Sequence, residues 1–203
     1  MNMDSKYLSA GERRQLTVKT VLGLAAVKSL NEITTTVIAG TMGISQGGVF
    51  RHFATKDEIW SAVMEWVSCE LYSRVETAAS TASTPIEALR AMFISHVLFA
   101  AEFPGVPRLL FGELQRVEST PAKRTACFLL KKYTDLLIGI IEQGQRFGDI
   151  DASIQTSDAA INYICILQGI LVRSLLFDDV SEVVKMAHPA VNLYIRSIED
   201  RRN

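Results

Sequence analysis

The sequence predicts an all-α protein of about nine helices, and three observations indicate this class. Apolar residues recur at three- and four-residue spacing along much of the 203-residue chain, as on the buried face of a helix. Five prolines and 12 glycines are few for this length, and the period-two alternation typical of strands is hard to find. Because 48% of the residues are hydrophobic and 21% are charged, the chain can bury a substantial core.

Three helices are predicted in the N-terminal quarter of the chain. The first covers Gly11–Leu30, where the apolar residues form one stripe. Two short helices follow, one capped by Thr34 or Thr35 and one capped by Ser45, because hydroxyl side chains accept hydrogen bonds from first-turn N–H groups. Gly43 lies between them and supplies the permissive backbone that a tight turn needs.

Six further helices are predicted in the rest of the chain. Thr55 caps a long helix that holds Asp57 and Glu58 in its first turn, where the partial positive charge of the helix favours them. The other helices are predicted over Pro85–Ala101, Pro107–Val117, Pro121–Phe147, from Ser157 or Asp158 to Phe177, and from Ser181 to Asp200. The sequence shows no repeat of 20–50 residues, so a solenoid is excluded. We predict two domains, a head of residues 1–56 and a body of residues 57–203.

The charges nearly cancel over the whole chain, with 21 Lys or Arg against 22 Asp or Glu. An even spread of these charges would argue against binding to a polyanion. Residues 1–56, however, carry seven basic and three acidic residues, a net charge of +4, and the remainder carries 14 basic and 19 acidic residues, a net charge of −5. Such asymmetry hints that the basic head contacts nucleic acid.

The cysteines and the most apolar stretch indicate a compartment. Three cysteines without paired spacing offer neither a disulfide framework nor a CxxC motif, and the polar N-terminus lacks a signal-peptide pattern, so we expect a cytoplasmic protein. Residues 159–177 are strongly apolar, but Asn162, Gln168 and Arg173 interrupt them. We therefore expect a helix buried within or between subunits and no membrane span.

The motifs of the common enzyme classes do not occur in this sequence. The three histidines, at positions 52, 96 and 188, are far apart, and no metal-ligand spacing such as HExxH occurs. There is no GxSxG motif and no glycine-rich phosphate loop. We therefore predict that the chain is not an enzyme and has no catalytic residues, metal site or cofactor.

Two short helices joined by a glycine-containing turn predict a helix-turn-helix, whose second helix reads base edges in the DNA major groove. The amide of Gln46 suits a bidentate contact with adenine, and Arg51 suits guanine or a phosphate. Gly47 and Gly48 let the backbone approach the duplex closely. Lys56 begins the next helix, whose first-turn N–H groups suit a phosphate.

Roughly a dozen residue types of this segment stand in a fixed register: Ile33-Thr34-Thr35-x-x-Ile38-Ala39-x-x-Met42-Gly43-Ile44-Ser45-Gln46-Gly47-x-Val49-Phe50-Arg51-His52-Phe53-x-x-Lys56. This pattern resembles the N-terminal signature of the TetR/AcrR transcriptional regulators. The match covers about residues 13–62, and the body agrees only in helix count and order. The resemblance implies a homodimeric repressor that binds a palindromic double-stranded DNA operator and releases it when a small molecule enters the body.

Residue roles in the head follow from the resemblance. It implies that Thr35, His52 and Lys56 hold phosphates and that the residues at the start of the second short helix, with Arg51, read bases. Phe50 departs from the family, in which tyrosine is common and its hydroxyl bonds a phosphate. The predicted DNA-binding residues are Thr34, Thr35, Ser45, Gln46, Gly47, Gly48, Phe50, Arg51, His52 and Lys56.

An apolar helical body can hold a small molecule between its helices, with a few polar groups that fix the orientation. Aromatic and polar side chains in otherwise apolar stretches predict a modest pocket for an aromatic or flat apolar effector of unknown identity. The predicted ligand-binding residues are Trp66, Cys69, Phe93, His96, Phe111, Phe128, Asn162 and Gln168.

The last two helices are predicted to form a homodimer, because their apolar faces exceed what a monomer of this size needs to cover. The predicted dimer face consists of Tyr163, Leu167, Gly169, Leu171, Val184, Ala187, Val191 and Tyr194. Two alternatives stay open for the body. It could dock a protein partner instead of a small molecule, or Cys69 could act as a redox switch, which requires an exposed thiol with a lowered pKa.

Overall fold

The computed structural model describes residues 9–177 and 180–200, and within them the chain forms nine α-helices and no β-strand. The helices are α1 Ala10–Val27, α2 Thr35–Thr41, α3 Gln46–Phe50, α4 Lys56–Ser80, α5 Pro85–Glu102, α6 Gly105–Leu114, α7 Pro121–Phe147, α8 Thr156–Phe177 and α9 Val180–Ile198, with a 3-10 turn at Leu30–Glu32. The predicted all-α class and the helix number are confirmed for these residues.

Side-chain caps fix where two of the longer helices begin. At α1, the Glu12 N–H donates to Ser9 Oγ at 3.3 Å and the Ser9 N–H donates to the Glu12 carboxylate at 2.8 Å. At α4, the Glu58 N–H donates to Thr55 Oγ1 at 3.1 Å and the Ala54 N–H donates to the Glu58 carboxylate at 2.8 Å. Each reciprocal pair satisfies two N–H groups, and the predicted Thr55 cap is confirmed.

Several predicted boundaries differ from the observed ones. Helix α1 ends at Val27, three residues earlier than predicted, because the backbone of the next residue is extended. Helix α6 begins at Gly105, so that Pro107 lies in its first turn, where the missing N–H is no loss. The predicted caps of the last two helices, Ser157 or Asp158 and Ser181, lie inside those helices.

The described chain divides into two compact units, each with its own core. The first unit consists of the chain up to Ser68 together with Phe103–Ala126. The second unit consists of Cys69–Glu102 together with the chain from Cys127 onward. Helix α4 therefore contributes to both units. The predicted domain boundary at residue 56 lies inside the first unit, at the first residue of α4, and stays a prediction of where the head ends.

In the first unit, α6 packs against α1 at a position that only glycine fits. A Cβ atom at Gly105 would collide with the backbone oxygen of Leu22 and would lie 2.9 Å from the Cβ of Ala25. Val21 and Ala25 of α1 are fully buried. This close approach fixes α1, which packs in turn against α2 of the helix-turn-helix.

In the second unit, α5, α8 and α9 pack together and enclose aromatic side chains. The hydroxyl of the fully buried Tyr163 donates to the Leu89 carbonyl at 2.9 Å, and the Tyr194 hydroxyl donates to the Ala159 carbonyl at 3.0 Å. The first bond joins α8 to α5 and the second joins α9 to α8. Both hydroxyls are therefore satisfied in the interior, as buried polar groups must be.

Most of the residues predicted to form the dimer face lie in this interior. The buried ones are Tyr163, Leu167, Leu171, Ala187, Val191 and Tyr194, and only Gly169 and Val184 are exposed. The prediction that the six buried residues form a surface is wrong. Helical periodicity shows which face of a helix is apolar, but it does not show whether the same chain or a second chain covers that face.

Helix α8 is the one described helix that by length and composition could cross a membrane, and 33% of its most apolar window is buried inside the structure. The buried helices of soluble proteins pass the same test, so the result is weak evidence for a membrane span.

Candidate nucleic-acid interface

The turn between α2 and α3 depends on one glycine. Gly43 has a φ of 68°, a left-handed conformation that residues with a side chain rarely adopt. Its N–H donates to the Gly40 carbonyl at 3.2 Å, and the Ile44 N–H donates to the Ala39 carbonyl at 3.0 Å. These bonds close the end of α2, and α3 begins three residues after the glycine.

Thr34 and Ser45 cap α2 and α3. The Val37 N–H donates to Thr34 Oγ1 at 3.2 Å, and the Gly48 N–H donates to Ser45 Oγ at 3.1 Å. Both hydroxyls are thus used within the head, where they fix the first residue of each helix. We therefore expect Thr34 and Ser45 to contribute to DNA binding by positioning the residues that follow them in α2 and α3.

A side-chain hydrogen bond joins the first residues of the two helices. The exposed Gln46 amide donates from Nε2 to Thr35 Oγ1 at 2.7 Å. The bond brings together one residue predicted to read a base and one predicted to hold a phosphate. It also limits the rotation of a long side chain that would otherwise move freely at the surface.

The two glycines of α3 differ in the space around them. Gly47 is exposed, and a Cβ atom there would meet nothing closer than Ser45 Oγ at 3.9 Å. Gly48 is half-buried, and its Cβ would lie 3.4 Å from Ile44 Cδ1. The fold therefore has room for a side chain at position 47. Because glycine has none, the backbone at the start of α3 is open to an approaching molecule.

The end of α3 presents the remaining predicted contacts. Arg51 is exposed at the end of the helix, His52 is half-buried, and the Phe50 ring is 43% exposed. An aromatic ring as exposed as that of Phe50 is available to a neighbouring duplex, but it offers no hydroxyl to a phosphate. Val49 and Phe53, only 1% exposed, anchor the helix from its inner side.

Arg14 of α1 supports this end of the head, a role that the sequence analysis missed. Its Nη1 donates to the His52 carbonyl at 2.5 Å, and its guanidinium carbon lies 4.2 Å from the centre of the Phe53 ring. These contacts hold the backbone that carries Arg51 and His52. The partners are 38 residues apart, so no local sequence pattern could have revealed them.

Lys56 is the first residue of α4 and is half-buried. Its ammonium group lies 5.3 Å from the centre of the Trp60 ring, one turn further along the helix. The aromatic face holds the lysine near the start of α4, where the first-turn N–H groups also favour an anion.

Two of the predicted effector residues lie near one buried aromatic cluster of the body. The fully buried Phe93 packs edge-on against Tyr163 with ring centres 5.3 Å apart, and the His96 ring lies 5.6 Å from that of Tyr133. His96 Nδ1 and the Tyr133 hydroxyl are buried, and neither has a hydrogen-bond partner among the described residues. Burial lowers the pKa of His96 to about 4, so its imidazole is neutral at pH 7.

The other predicted effector residues are divided between the two units. Trp66 and Phe111 are half-buried in the first unit, where Trp66 packs against Phe103 with ring centres 5.0 Å apart. The exposed candidates in the second unit are Cys69, Phe128, Asn162 and Gln168. Exposure places these four on the protomer surface, and their part in ligand binding stays a prediction. The part of the chain that the structure describes contains no cluster of three metal-ligating side chains.

No family model matches the chain. A curated relative is the nucleoid occlusion factor SlmA of Haemophilus ducreyi, which is 26% identical over 147 residues, 70% of this chain and 73% of that protein. The fold is similar to that of the fatty acid degradation regulator FadR from Bacillus halodurans, with a TM-score of 0.81 and 15% identity over 93% of this chain and 97% of the other.

A TetR transcription regulator from Haloarcula marismortui is similar as well, with a TM-score of 0.80 and 15% identity over 94% of this chain and 100% of the other. The order of the helices, the capped helix-turn-helix and the likeness over almost the whole chain confirm the resemblance: the chain has the fold of the TetR transcriptional regulators.

Proposed function

We propose that the chain is a DNA-binding transcriptional regulator, a repressor that binds a palindromic operator as a homodimer in the cytoplasm and is released by a small apolar or aromatic effector. The observation that carries this proposal is the exposed start of α3, where Gln46 is held by Thr35 beside the open backbone of Gly47. The names of the similar proteins, regulators and a nucleoid occlusion factor, support it.

In this proposal, Gln46 and Arg51 read bases in the major groove, while Thr35, His52 and Lys56 hold phosphates on either side. Binding measurements can distinguish the two kinds of contact. Phosphate contacts add affinity for DNA of every sequence, whereas base contacts change the preference among sequences. Phe50 contributes aromatic packing alone.

The experiment that tests DNA binding is selection of bound duplexes from a random pool. We expect an enriched palindrome whose half-sites are about one or more helical turns apart, since a twofold dimer presents two heads to one side of the duplex. A pool that shows no enrichment after repeated rounds at low salt contradicts the proposal.

The homodimer is proposed through α8 and α9, on a face that keeps Gly169 and Val184 of the predicted one and omits its six buried residues. Ile161, Val172 and Leu176 of α8 are 55%, 38% and 70% exposed, and they share one face with the exposed Cys165 and Gly169. On α9, Val184 and Leu193 are also exposed. The exposed apolar side chains on the shared face of α8 are typical of an interface, and two copies of α8 and α9 would bury them in a four-helix bundle.

The effector is proposed to bind at the aromatic cluster of the body. His96 Nδ1 and the Tyr133 hydroxyl are buried polar atoms without a hydrogen-bond partner among the described residues, and a ligand that hydrogen-bonds both would relieve their desolvation. The rings around them favour an aromatic molecule. Helix α4 begins with the phosphate-holding Lys56 and continues into the second unit, so a change in its tilt would alter the head. Screening for neutral aromatic compounds that release the selected operator tests this step.

A second candidate function is a DNA-binding protein whose body docks a protein partner. Phe128 and Leu130 of α7, 61% and 45% exposed, favour it because they leave apolar surface outside the proposed dimer face. Loss of a captured partner from a Phe128→Ser variant that still dimerises and binds the operator would support this candidate.

A further inference from the structure

The first unit contains a cavity of about 400 Å³ that none of the proposed roles uses. It lies beside the start of α4, and its walls come from α4, α6, the beginning of α7 and the turn that follows α1. The residues that define its character are Lys56, Trp60, Met64, Leu109, Glu113 and Arg116. A volume of this size is typical of sites for small organic molecules.

One wall of the cavity is apolar and well ordered by packing. Trp60 is half-buried and packs with Met64, which is 3% exposed, and with Ala122 and Ala126 of α7. Leu109 of α6 adds a second buried aliphatic surface. The flat indole and the aliphatic side chains around it suit a flat apolar ligand.

The charges around the cavity are not equally available. Glu113, 8% exposed, accepts a hydrogen bond from the Thr120 hydroxyl, and its other oxygen lies 3.8 Å from Arg116 Nη1. Arg116 also pairs with Asp57 at 3.3 Å. Glu113 and Arg116 are therefore occupied with protein partners.

Lys56 is the cation that remains for a ligand. Its contact in the described part of the chain is with the Trp60 ring, and no carboxylate there lies within ion-pair distance of it. An ammonium group at the edge of an apolar wall gains most from an anion that brings its own apolar body, because both parts of such a molecule are then satisfied.

We propose that this cavity binds a small aromatic carboxylate, with the carboxylate on the Lys56 ammonium group and the ring against Trp60, Met64 and Leu109. The site is separate from the proposed effector site of the body. Its effect on DNA rests on the proposed function, in which Lys56 holds a phosphate. The Lys56 ammonium group cannot bind a DNA phosphate and the ligand carboxylate equally well at the same time. The ligand and DNA therefore compete for it.

Calorimetry with 2-naphthoate as the probe tests the site directly. We expect 2-naphthoate to bind, 2-naphthamide to bind about tenfold more weakly because it lacks the charge, and Lys56→Gln to remove that difference. Gln115 is exposed at the rim of the cavity, so its variants should fold normally. Gln115→Lys should tighten 2-naphthoate binding and Gln115→Glu should weaken it. Equal affinity for 2-naphthoate and 2-naphthamide, or no response to the charge at position 115, overturns the proposal.

Fluorescence anisotropy with a 30-base-pair duplex of random sequence tests the competition. Saturating 2-naphthoate should raise the Kd of the wild-type dimer for this duplex about tenfold per head and lower its salt slope by about two, because each of the two heads loses one phosphate contact. DNA should weaken 2-naphthoate binding by the same factor. In Lys56→Gln the effect of 2-naphthoate on DNA should disappear, whereas in the matched control Lys185→Gln, on exposed α9 surface, it should persist.

The two experiments separate failure of this inference from failure of the proposed function. A protein that binds the duplex but not 2-naphthoate overturns the cavity site and leaves the regulator proposal standing. A protein that binds 2-naphthoate but not the duplex supports the site and contradicts the regulator proposal. Binding of both without mutual effect overturns the competition through Lys56.

Discussion

The head and the body satisfy their polar groups in different ways. In the head, the hydroxyls of Thr34 and Ser45 accept bonds from N–H groups three residues away, and Gln46 reaches Thr35 eleven residues away. In the body, the Tyr163 hydroxyl donates to a carbonyl 74 residues away, and His96 Nδ1 has no partner among the described residues.

This difference suits the two proposed ligands. DNA presents the same regular surface to every regulator, so local caps and turns suffice to aim a few exposed side chains at it. A small molecule needs an enclosed site, and such a site forms only where distant segments meet. The head should therefore respond to substitutions at its surface, and the body should respond to changes in packing and pH.

The largest expected effect links the two regions, because a change in the body should weaken DNA binding by the head. The double variant Ile161→Arg with Leu176→Arg places two charges on the exposed face of α8 and should dissociate the dimer. Because the two heads then no longer bind as one unit, we expect operator affinity to fall more than about 100-fold. Sedimentation velocity and anisotropy measure the two effects. The matched control is Val117→Arg, 96% exposed in the first unit, and loss of dimer in this control as well would contradict the assignment of the face.

The pH dependence of stability would sharpen the contrast. Burial lowers the pKa of His96 to about 4 in the folded protein, against about 6.5 in the unfolded chain. Between these two pH values, His96 is therefore protonated in the unfolded chain and neutral in the folded protein. His96 therefore contributes stability above pH 6.5, and this contribution is lost as the pH falls from 6.5 to 4, by up to about 3 kcal/mol. Urea unfolding across this window should show a smaller loss in His96→Asn than in the exposed control His188→Asn. Equal losses in the two variants would rule out His96 as the cause.

Substitutions at the surface of the head should distinguish residues that contact bases from residues that contact phosphates. Gln46→Ala should change the preferred bases, with a loss of about 1–3 kcal/mol on the selected operator. His52→Ala and Lys56→Ala should weaken binding to all sequences alike and lower the salt slope of the dimer by about two each, one for each head. Anisotropy on the operator and on scrambled duplexes measures both effects. A head in which all three variants bind DNA as the wild type does would contradict the assigned interface.

The smallest expected effect concerns the support behind the head. Arg14→Ala removes the bond to the His52 carbonyl and the contact with the Phe53 ring, and it should lower the free energy of unfolding by about 1 kcal/mol. Operator binding should weaken slightly, because the end of α3 is held less firmly. Chemical denaturation measures the stability, with the exposed Lys19→Ala on the same helix as the control. An equal loss in both variants would show that the removal of a positive charge from α1, and not the loss of the two contacts, is responsible, because alanine favours a helix at least as well as arginine and lysine do.

Much of the head could be predicted from the sequence because its geometry is set by near neighbours. The caps at Thr34, Ser45 and Thr55 and the left-handed turn at Gly43 each depend on three or four consecutive residues. The support from Arg14 could not be predicted, since its partners come close only after three helices have packed.

The body shows where periodicity stops being informative. The apolar stripe that contains Tyr163 and Tyr194 is real, but a neighbouring helix of the same chain covers it. The side chains left for a second copy, such as Ile161 and Leu176, lie on the other side of the helix. A stripe of hydrophobic residues has the same spacing in both cases, so only the packed structure distinguishes core from interface.

The hydrogen bond between Gln46 and Thr35 bears on how strongly the proposed interface can bind a base. A free glutamine at a surface samples many rotamers, and ordering it on arrival at DNA would oppose binding by roughly 1–2 kcal/mol. Here one of the two N–H donors on Nε2 already points to Thr35, while the second donor and the carbonyl oxygen remain for a base. One donor and one acceptor side by side are the pair that an adenine edge requires, so in the proposed interface the side chain would meet the duplex already arranged for it.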